Sequence, residues 1–412
     1  MDFIPDFSSI PTADFSLLNF DIKSKISNLK LVKVVVTGIG LVSALGKNLE
    51  DSWQNLLLAK TGIKLHQLFP ELGVIPLGLI AEKPTALSTI TEIVVTSALQ
   101  DAQLVPPLSD CAVVIGSSRG YQASWEMMAQ NIHEQAGGAN LDNWLNTLPQ
   151  MNAIAVARQI GASGAILAPM AACATGIWAI AQAAMLIQSG EYQIAIAGAV
   201  EAPITPLTIA GFQQMGALGK TGAYPFDLYR EGLVLGEGGA VFILESAELA
   251  SQRQSKVYGE ILGFGLTADA YHGISPEPEG KSAMVAIKQC LERSQMTPAA
   301  IDYIHTHGTA TQLNDRMESK IIQNLFPAKL AISSTKGSTG HTLGASGALG
   351  VAFSLMALRN NILPPCVGLQ QPEFNLNLIR SAQESKIKNV LCFSFGFGGQ
   401  NAIMALGNFK TR

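Results

Sequence analysis

The sequence predicts an α/β fold built from two similar halves, and three observations predict it. Apolar, β-branched runs alternate with helix-length segments along nearly the whole chain, the pattern of a sheet covered by helices. The pattern then restarts near Tyr258: Glu260-Ile-Leu-Gly-Phe-Gly-Leu266 answers the opening run at Val34, and Gly398–Leu406 answers Gly238–Leu244. Finally, 412 residues with 48% hydrophobic and 14% charged side chains can bury a large core and still leave apolar surface for a subunit interface.

Taken in order, residues 1–32 form an N-terminal extension to which the sequence assigns no role. They carry Asp2, Asp6, Asp14 and Asp21 and lack a basic start followed by an apolar block, which argues against a secretory signal or an Arg-rich transit peptide. The first half, 33–256, opens with a buried strand and glycine turns at Val34–Gly46, then a helix near Leu49–Ala59. Gly38-x-Gly40-x-x-Ser43 imitates a dinucleotide fingerprint, but no helix starts at the glycines and no strand ending in an acid follows, so no nucleotide cofactor is expected. A helix near Ile90–Leu99, a strand at Cys111–Ile115 and a helix near Gln122–Ile132 come next. The strand Ala165–Ala168, the helix Ala174–Gln188 and the strands Gln193–Gly198 and Gly239–Leu244 complete this half. The second half, 257–412, repeats the theme with strands at Glu260–Leu266 and Ile301–Ile304, a strand and turn at Ile332–His341, a helix at Ala348–Leu358 and the closing run.

Bulk properties exclude several function classes. A net charge of −4 without any Lys/Arg run gives no nucleic-acid surface. Gln159–Gly190 carries no charge, but Gly, Ser, Pro169, Thr175 and Gln182 interrupt it, so it reads as strand, turn and buried helix rather than a membrane span. Five scattered cysteines, an odd number with no C-x-x-C pair, suit a reducing, cytoplasmic setting without structural zinc.

The chemistry centres on Cys173 in Met170-Ala-Ala-Cys-Ala-Thr-Gly-Ile177. A free cysteine in an apolar run usually packs as a small hydrophobe, so alone it carries little weight. Placed at the start of the 174–188 helix, however, it meets unpaired backbone N–H groups that favour a thiolate. His307 follows the strand 301–304, at the strand end where α/β proteins build their sites, and His341 stands at the turn that the repeat pairs with Cys173. His305 and His307 form a His-x-His pair, with Asp315 or Glu318 as the further ligand a metal site would need; no third ligand stands at short spacing, so no metal is expected. A glycine-rich loop, Ser394-Phe-Gly-Phe-Gly-Gly399, completes the set.

These motifs resemble those of the β-ketoacyl-acyl carrier protein synthases, the elongating Cys-His-His type within the thiolase-like superfamily. The likeness runs from about Val32 to the end: Ala-Cys173-Ala-Thr-Gly, His307-Gly-Thr-Ala-Thr, Ser-Thr-Lys336-Gly-Ser-Thr-Gly-His341 and Phe395-Gly-Phe-Gly-Gly, with Arg230–Gly236 and Asp269–His272. It implies a five-layered α-β-α-β-α fold, usually dimeric, and a two-stage condensation without a cofactor. An acyl group passes from a carrier's phosphopantetheine thiol to Cys173; a malonyl thioester then loses CO₂ and its carbanion attacks the acyl-enzyme. The resemblance gives His307 and His341 as enolate donors, without settling which is also a base. It assigns the oxyanion donors to the backbone N–H groups of Cys173 and Phe397, and the gate to Phe395, Gly396 and Phe397. Lys336 tunes the field around the histidines with Glu318 as its partner and Asp315 in support, while Thr309 and Thr311 bind the pantetheine arm.

Several positions depart from the family pattern. Phe393, Gln400 and Gly350 stand where relatives carry Asn, Thr and Glu. Arg119 occupies a normally apolar position near the end of the acyl tunnel, which predicts a short or polar acyl group, or a tunnel lined partly by another subunit, because burying an unpaired charge is costly. Between His66 and Ala157 the Lys and Arg residues are Lys83 and Arg119 alone, fewer than an acidic carrier usually meets, which leaves room for a dedicated carrier or a second synthase-like subunit. The expected activity is decarboxylative condensation in fatty-acid or polyketide-type assembly, by a homodimer or a heterodimer. The rival readings are a non-elongating decarboxylase or acyltransferase, and a non-catalytic partner subunit.

Overall fold

The computed structural model describes residues 32–134 and 143–409; the acidic segment 1–31 lies outside the described residues. Ten strands form one mixed sheet. They are β1 (Val34–Ser43), β2 (Ala112–Gly116), β3 (Ile166–Leu167), β4 (Ile194–Glu201), β5 (Gly238–Ser246), β6 (Gly259–Ala268), β7 (Tyr303–His305), β8 (Ala331–Ser333), β9 (Asn389–Gly396) and β10 (Gln400–Gly407). Edge to edge the order is β8-β7-β9-β10-β6-β1-β5-β4-β2-β3. Read outward from the centre, both sides follow the same sequence of first, fifth, fourth, second and third strand of their own set. The two sets meet at a narrow seam, where β1 pairs with β6 through three residue pairs only, Val34 with Ile261, Val35 with Glu260 and Val36 with Gly259.

Helices cover both faces of each wing. On the outside of the first lie α1 (Leu87–Asp101) and α3 (Met151–Ile160), whose Val94, Ala98, Val156 and Ile160 pack on Val113, Ile196 and Ile243. On the outside of the second lie α6 (Lys281–Arg293) and α7 (Gln312–Leu325), whose Ile287, Met317 and Ile321 pack on Ile304, Leu391 and Ile403. Between the wings run α4 (Thr175–Gln188) and α8 (Ser346–Asn360), which share one core with Val36, Val114, Phe242, Val390 and Met404. Two further helices, α2 (Gln122–Glu134) and α5 (Pro206–Gln214), flank the first wing. The layers therefore read helix, sheet, helix, sheet, helix, as the resemblance implies. Burial on both faces explains why β1 is a continuous apolar run, every residue of it buried, rather than an alternating one.

The structure departs from the sequence reading in three places. The run 165–168 contributes only Ile166 and Leu167, both exposed, because β3 is an edge strand with one neighbour. Gly38 and Gly40 lie inside β1, not in glycine turns after it. The helices α3, α6 and α7 and the strand β9 occupy segments that the periodicity left unassigned. The uncharged stretch 159–190 divides into the end of α3, β3, a turn and α4; among the described residues no helix is long and apolar enough to cross a membrane.

Candidate active site

Cys173 sits in the turn between β3 and α4, whose first residue is Thr175. The turn is strained: Ala172 holds φ of +47° without being glycine. Thr175 locks it, its Oγ1 accepting from the Ala171 N–H at 2.9 Å and donating to the Ala172 carbonyl at 2.7 Å. From the other wing, Ser394 Oγ donates to the Cys173 carbonyl at 2.8 Å. The backbone at Gly396 then passes so close that a Cβ there would lie 2.7 Å from the Ala171 oxygen, so only glycine fits. This approach aims the Phe397 N–H at the Cys173 sulfur.

The second wing supplies the imidazoles. His307 follows β7, and His341 follows the short helix Lys336–Thr339 after β8. One ring nitrogen of each and the Cys173 sulfur all lie within 4.8 Å of one another, a set of atoms that could also hold a metal ion. The two rings stand edge to face, 5.3 Å between centroids, with Phe395 closing on His307 at 5.8 Å. All of them line one open cavity of about 230 Å³ together with Thr309, Thr311 and Phe397. Cys173 is only 6% exposed, but the cavity reaches it. His341 Nδ1 is 2.7 Å from Ser346 Oγ, which leaves Nε2 for the cavity. The Nδ1 of His307 is buried without a partner.

Charged groups brace this arrangement. The Glu318 carboxylate accepts from the backbone N–H groups of His307 and Gly308 at 2.6 and 2.7 Å, and the Lys336 ammonium donates to the His307 carbonyl. The expected Lys336–Glu318 ion pair is not formed among the described residues; the two side chains grip the same loop from opposite ends instead. Burial raises the Glu318 carboxyl and lowers the Lys336 ammonium, each partly offset by the other's charge. Burial, then the charge of Lys336, holds both His307 and His341 well below the usual imidazole range, so both are neutral. Asp315 does not face the cavity; its carboxylate accepts from the Phe226 N–H at 2.9 Å and lies 3.7 Å from Arg230.

The thiol corrects the sequence reading. Burial pushes Cys173 up to about 11, with Lys336 and the Phe397 N–H pulling the other way, so the helix terminus does not supply a standing thiolate. A neutral imidazole within reach of the sulfur makes proton transfer to nitrogen the alternative route.

Thr309 and Thr311 share a hydroxyl contact of 2.9 Å on the cavity wall. Arg119 is exposed and not among the lining residues; its guanidinium lies 5.7 Å over the Phe212 ring, which in turn stacks on Phe397 at 5.8 Å. It thus caps the apolar cluster of Cys173, Ile209, Phe212 and Leu343 from outside, instead of standing inside a tunnel. His305 turns away from the cavity, 3.1 Å from Thr335 Oγ1. It explains Gly350, because a Cβ there would lie 2.8 Å from the His305 ring.

Sequence reasoning missed Ser346 and Glu201, and gave Ser394 only as the start of the glycine-rich loop. Glu201, buried at the end of β4, accepts from Ser117 and Ser118 hydroxyls, from the N–H groups of Ser118 and Arg119, and from the Gly344 N–H at 2.9 Å. It ties the turn after His341 to the first wing. An acid ending an apolar strand was the signal available for it.

Comparison with known proteins gives the family. Residues 81–250 match the N-terminal domain model of the β-ketoacyl synthases and residues 258–370 match the C-terminal one. The 3-oxoacyl-(acyl-carrier-protein) synthase 2 of Coxiella burnetii is 33% identical over 91% of this chain and 98% of its own. Its Staphylococcus aureus counterpart is 32% identical over 92% and 99%. Among solved structures, a type II polyketide ketosynthase in complex with its acyl-carrier protein has a TM-score of 0.87 at 27% identity, covering 92% of this chain and all of that one. A ketosynthase with its chain length factor from Xenorhabdus doucetiae has a TM-score of 0.79 at 27% identity, covering 92% and 98%. Matched by models of both domains and by full-length relatives a third identical to it, the chain belongs to the β-ketoacyl synthase family.

Proposed function

We propose that the protein is an elongating β-ketoacyl synthase, an acyltransferase that condenses a Cys173-bound acyl group with a malonyl-carrier thioester. The observation that carries the reading is the meeting of one sulfur and two neutral imidazoles, from distant parts of the chain, within 4.8 Å in a single cavity.

In the first stage the thiol of Cys173 attacks the acyl thioester. Its proton passes to an imidazole, and the carbonyl oxygen is held by the N–H groups of Cys173 and Phe397 until the pantetheine thiol leaves with a proton. In the second stage the malonyl thioester oxygen lies between His307 and His341, each of which, being neutral, offers one N–H to the enolate formed as CO₂ departs. The carbanion attacks the acyl carbon, expels the Cys173 sulfur and leaves a 3-oxoacyl-carrier. Lys336 and Glu318 act on this chemistry as positioning residues, through the His307 loop. Thr309 and Thr311 offer hydroxyls to the pantetheine amides.

The partner is an acyl carrier protein bearing phosphopantetheine thioesters. The quaternary state is a homodimer, or a heterodimer with a second ketosynthase-like chain; the open edge at Ile166 and Leu167, with exposed Met170 beside it, suits either. Five free cysteines support a cytoplasmic location. The complete Cys-His-His set weighs against a non-catalytic subunit, which has no need of it. Cys173→Ala tests the reading: acyl-carrier should raise the mass of the natural protein by one acyl group and leave the variant unchanged. Equal labelling of both would end it.

A further inference from the structure

Of the five free cysteines, Cys173 lines the cavity, and it does so beside two imidazoles. Its sulfur and one ring nitrogen from each of His307 and His341 lie within 4.8 Å of one another. A tetrahedral zinc ion, about 2.3 Å from sulfur and about 2.0–2.1 Å from each nitrogen, needs the three atoms roughly 3.4–3.6 Å apart. The closure required is at most about 1.4 Å, on the scale of side-chain torsion.

The surroundings fit such an ion. One thiolate and two imidazoles suit zinc and its borderline-soft neighbours, whereas magnesium and calcium take oxygen ligands. His341 Nδ1 lies 2.7 Å from Ser346 Oγ, the outer contact that fixes a metal-binding ring and leaves its other nitrogen to the ion. Glu318 and Lys336 hold the His307 loop in place through its backbone. The cavity gives an entry path and room for water as the fourth ligand. His305 takes no part, being turned towards Thr335 Oγ1. One force opposes the ion: the charge of buried Lys336 acts on Cys173 and on both histidines, so zinc is held more weakly than in a structural centre and can leave again.

We propose that Cys173, His307 and His341 form a reversible zinc site in which the ion takes the place of substrate and shuts the cavity off. The Cys173 thiol gives its proton to solvent as the sulfur–zinc bond forms, each imidazole gives a nitrogen lone pair, and the ion sheds water in exchange. Nothing is oxidised or reduced. Binding depends on these three side chains alone; only its inhibitory consequence rests on the proposed ketosynthase activity.

The test uses the full chain, stripped of metal with EDTA and kept reduced with a phosphine, and titrates it with Co²⁺ and then Zn²⁺. One Co²⁺ per chain should bind, giving a thiolate-to-cobalt charge-transfer band and the strong visible bands of a tetrahedral ion. Zn²⁺ should bleach both, since it binds such ligands more tightly than Co²⁺, and Mg²⁺ should leave them unchanged. Removing an outer partner of a ligand costs about 10–100-fold in metal affinity, so Cys173→Ser, which removes a ligand itself, should weaken zinc binding at least about 100-fold and abolish the charge-transfer band. Alkylating Cys173 in the natural protein before the titration should abolish the band in the same way, without any substitution. Zinc should in turn stop iodoacetamide from labelling Cys173, and EDTA should restore the labelling. No zinc bound, the weak spectrum of octahedral cobalt, or binding unchanged by Cys173→Ser or by prior alkylation overturns the site. None of these readouts uses an acyl substrate, so failure of the zinc site leaves the ketosynthase reading standing, and failure of that reading leaves the zinc site to be judged on its own.

Discussion

At residue scale the site is a buried thiol facing two neutral imidazoles, and its protonation makes a direct prediction. With the Cys173 thiol pushed up to about 11, iodoacetamide labelling of the free protein should climb about tenfold per pH unit from roughly 7 to 9, following the thiolate fraction. A plateau reached near neutrality would show a standing thiolate and restore the helix-terminus account. His307→Ala or His341→Ala removes one enolate donor, which raises the barrier by about 2.7–4 kcal/mol, a loss of about 10²–10³ in condensation rate. Acylation of Cys173 by the acyl-carrier, followed by mass, separates a donor role from a base role, because only a base is needed in that first stage. The three reactive residues were legible in the sequence because each sits in its own turn of small residues, glycine-rich around the two histidines. Ser346, Ser394 and Glu201 were not, since their bonds to His341, to the Cys173 carbonyl and to the Gly344 N–H exist only once both wings have folded.

At the scale of elements, each reactive group is carried by a turn after a strand and braced from the opposite wing. The strands and α4 could be read from continuous apolar runs. Helix α7 could not, because Gln312–Leu325 is mostly polar, although Met317, Ile321 and Leu325 at four-residue steps were the signal available. The edge strand β3 was read as longer because composition does not reveal which strand lacks a neighbour. The loop after β2 carries Arg119, whose guanidinium rests on Phe212 at the back of the apolar cluster around Cys173. An acyl chain growing through that cluster meets the charge, so loading should fall with chain length. In a mass panel of acyl-carriers, C12–C16 groups should load at least about tenfold more slowly than C4, and Arg119→Leu should narrow that gap, since a chain long enough to reach the exposed guanidinium would strip water from it, and desolvating a charge costs a few kcal/mol. Equal loading across the panel would remove Arg119 from the specificity account.

At the scale of the whole molecule, five layers buried on both faces place ionisable groups deep in the second wing, and acid stability reflects them. Burial, then Lys336, lowers His305 to about 3, so it stays neutral in the folded protein while the unfolded chain protonates below about 6.5. Folding stability is therefore unaffected by this group above about 6.5 and is lost at about 1.4 kcal/mol per pH unit as pH falls from there towards 3. Relative to His305→Asn, the natural protein should lose its stability advantage at that slope in urea titrations between about pH 6 and 4; a difference independent of pH would show that His305 titrates normally. The duplication was visible at this scale because glycine-flanked strands recur in the same order. The narrow seam between β1 and β6 was not, because pairing between sets leaves no local pattern.

The central claim is that Cys173, His307 and His341 work as one condensing unit. It is tested most directly by giving the protein equimolar acyl-carrier and malonyl-carrier and weighing the carrier products. The account predicts a 3-oxoacyl-carrier two carbons longer than the starting acyl group, with one CO₂ released for each. Release of CO₂ to give acetyl-carrier alone, or transfer of the acyl group without extension, would contradict it.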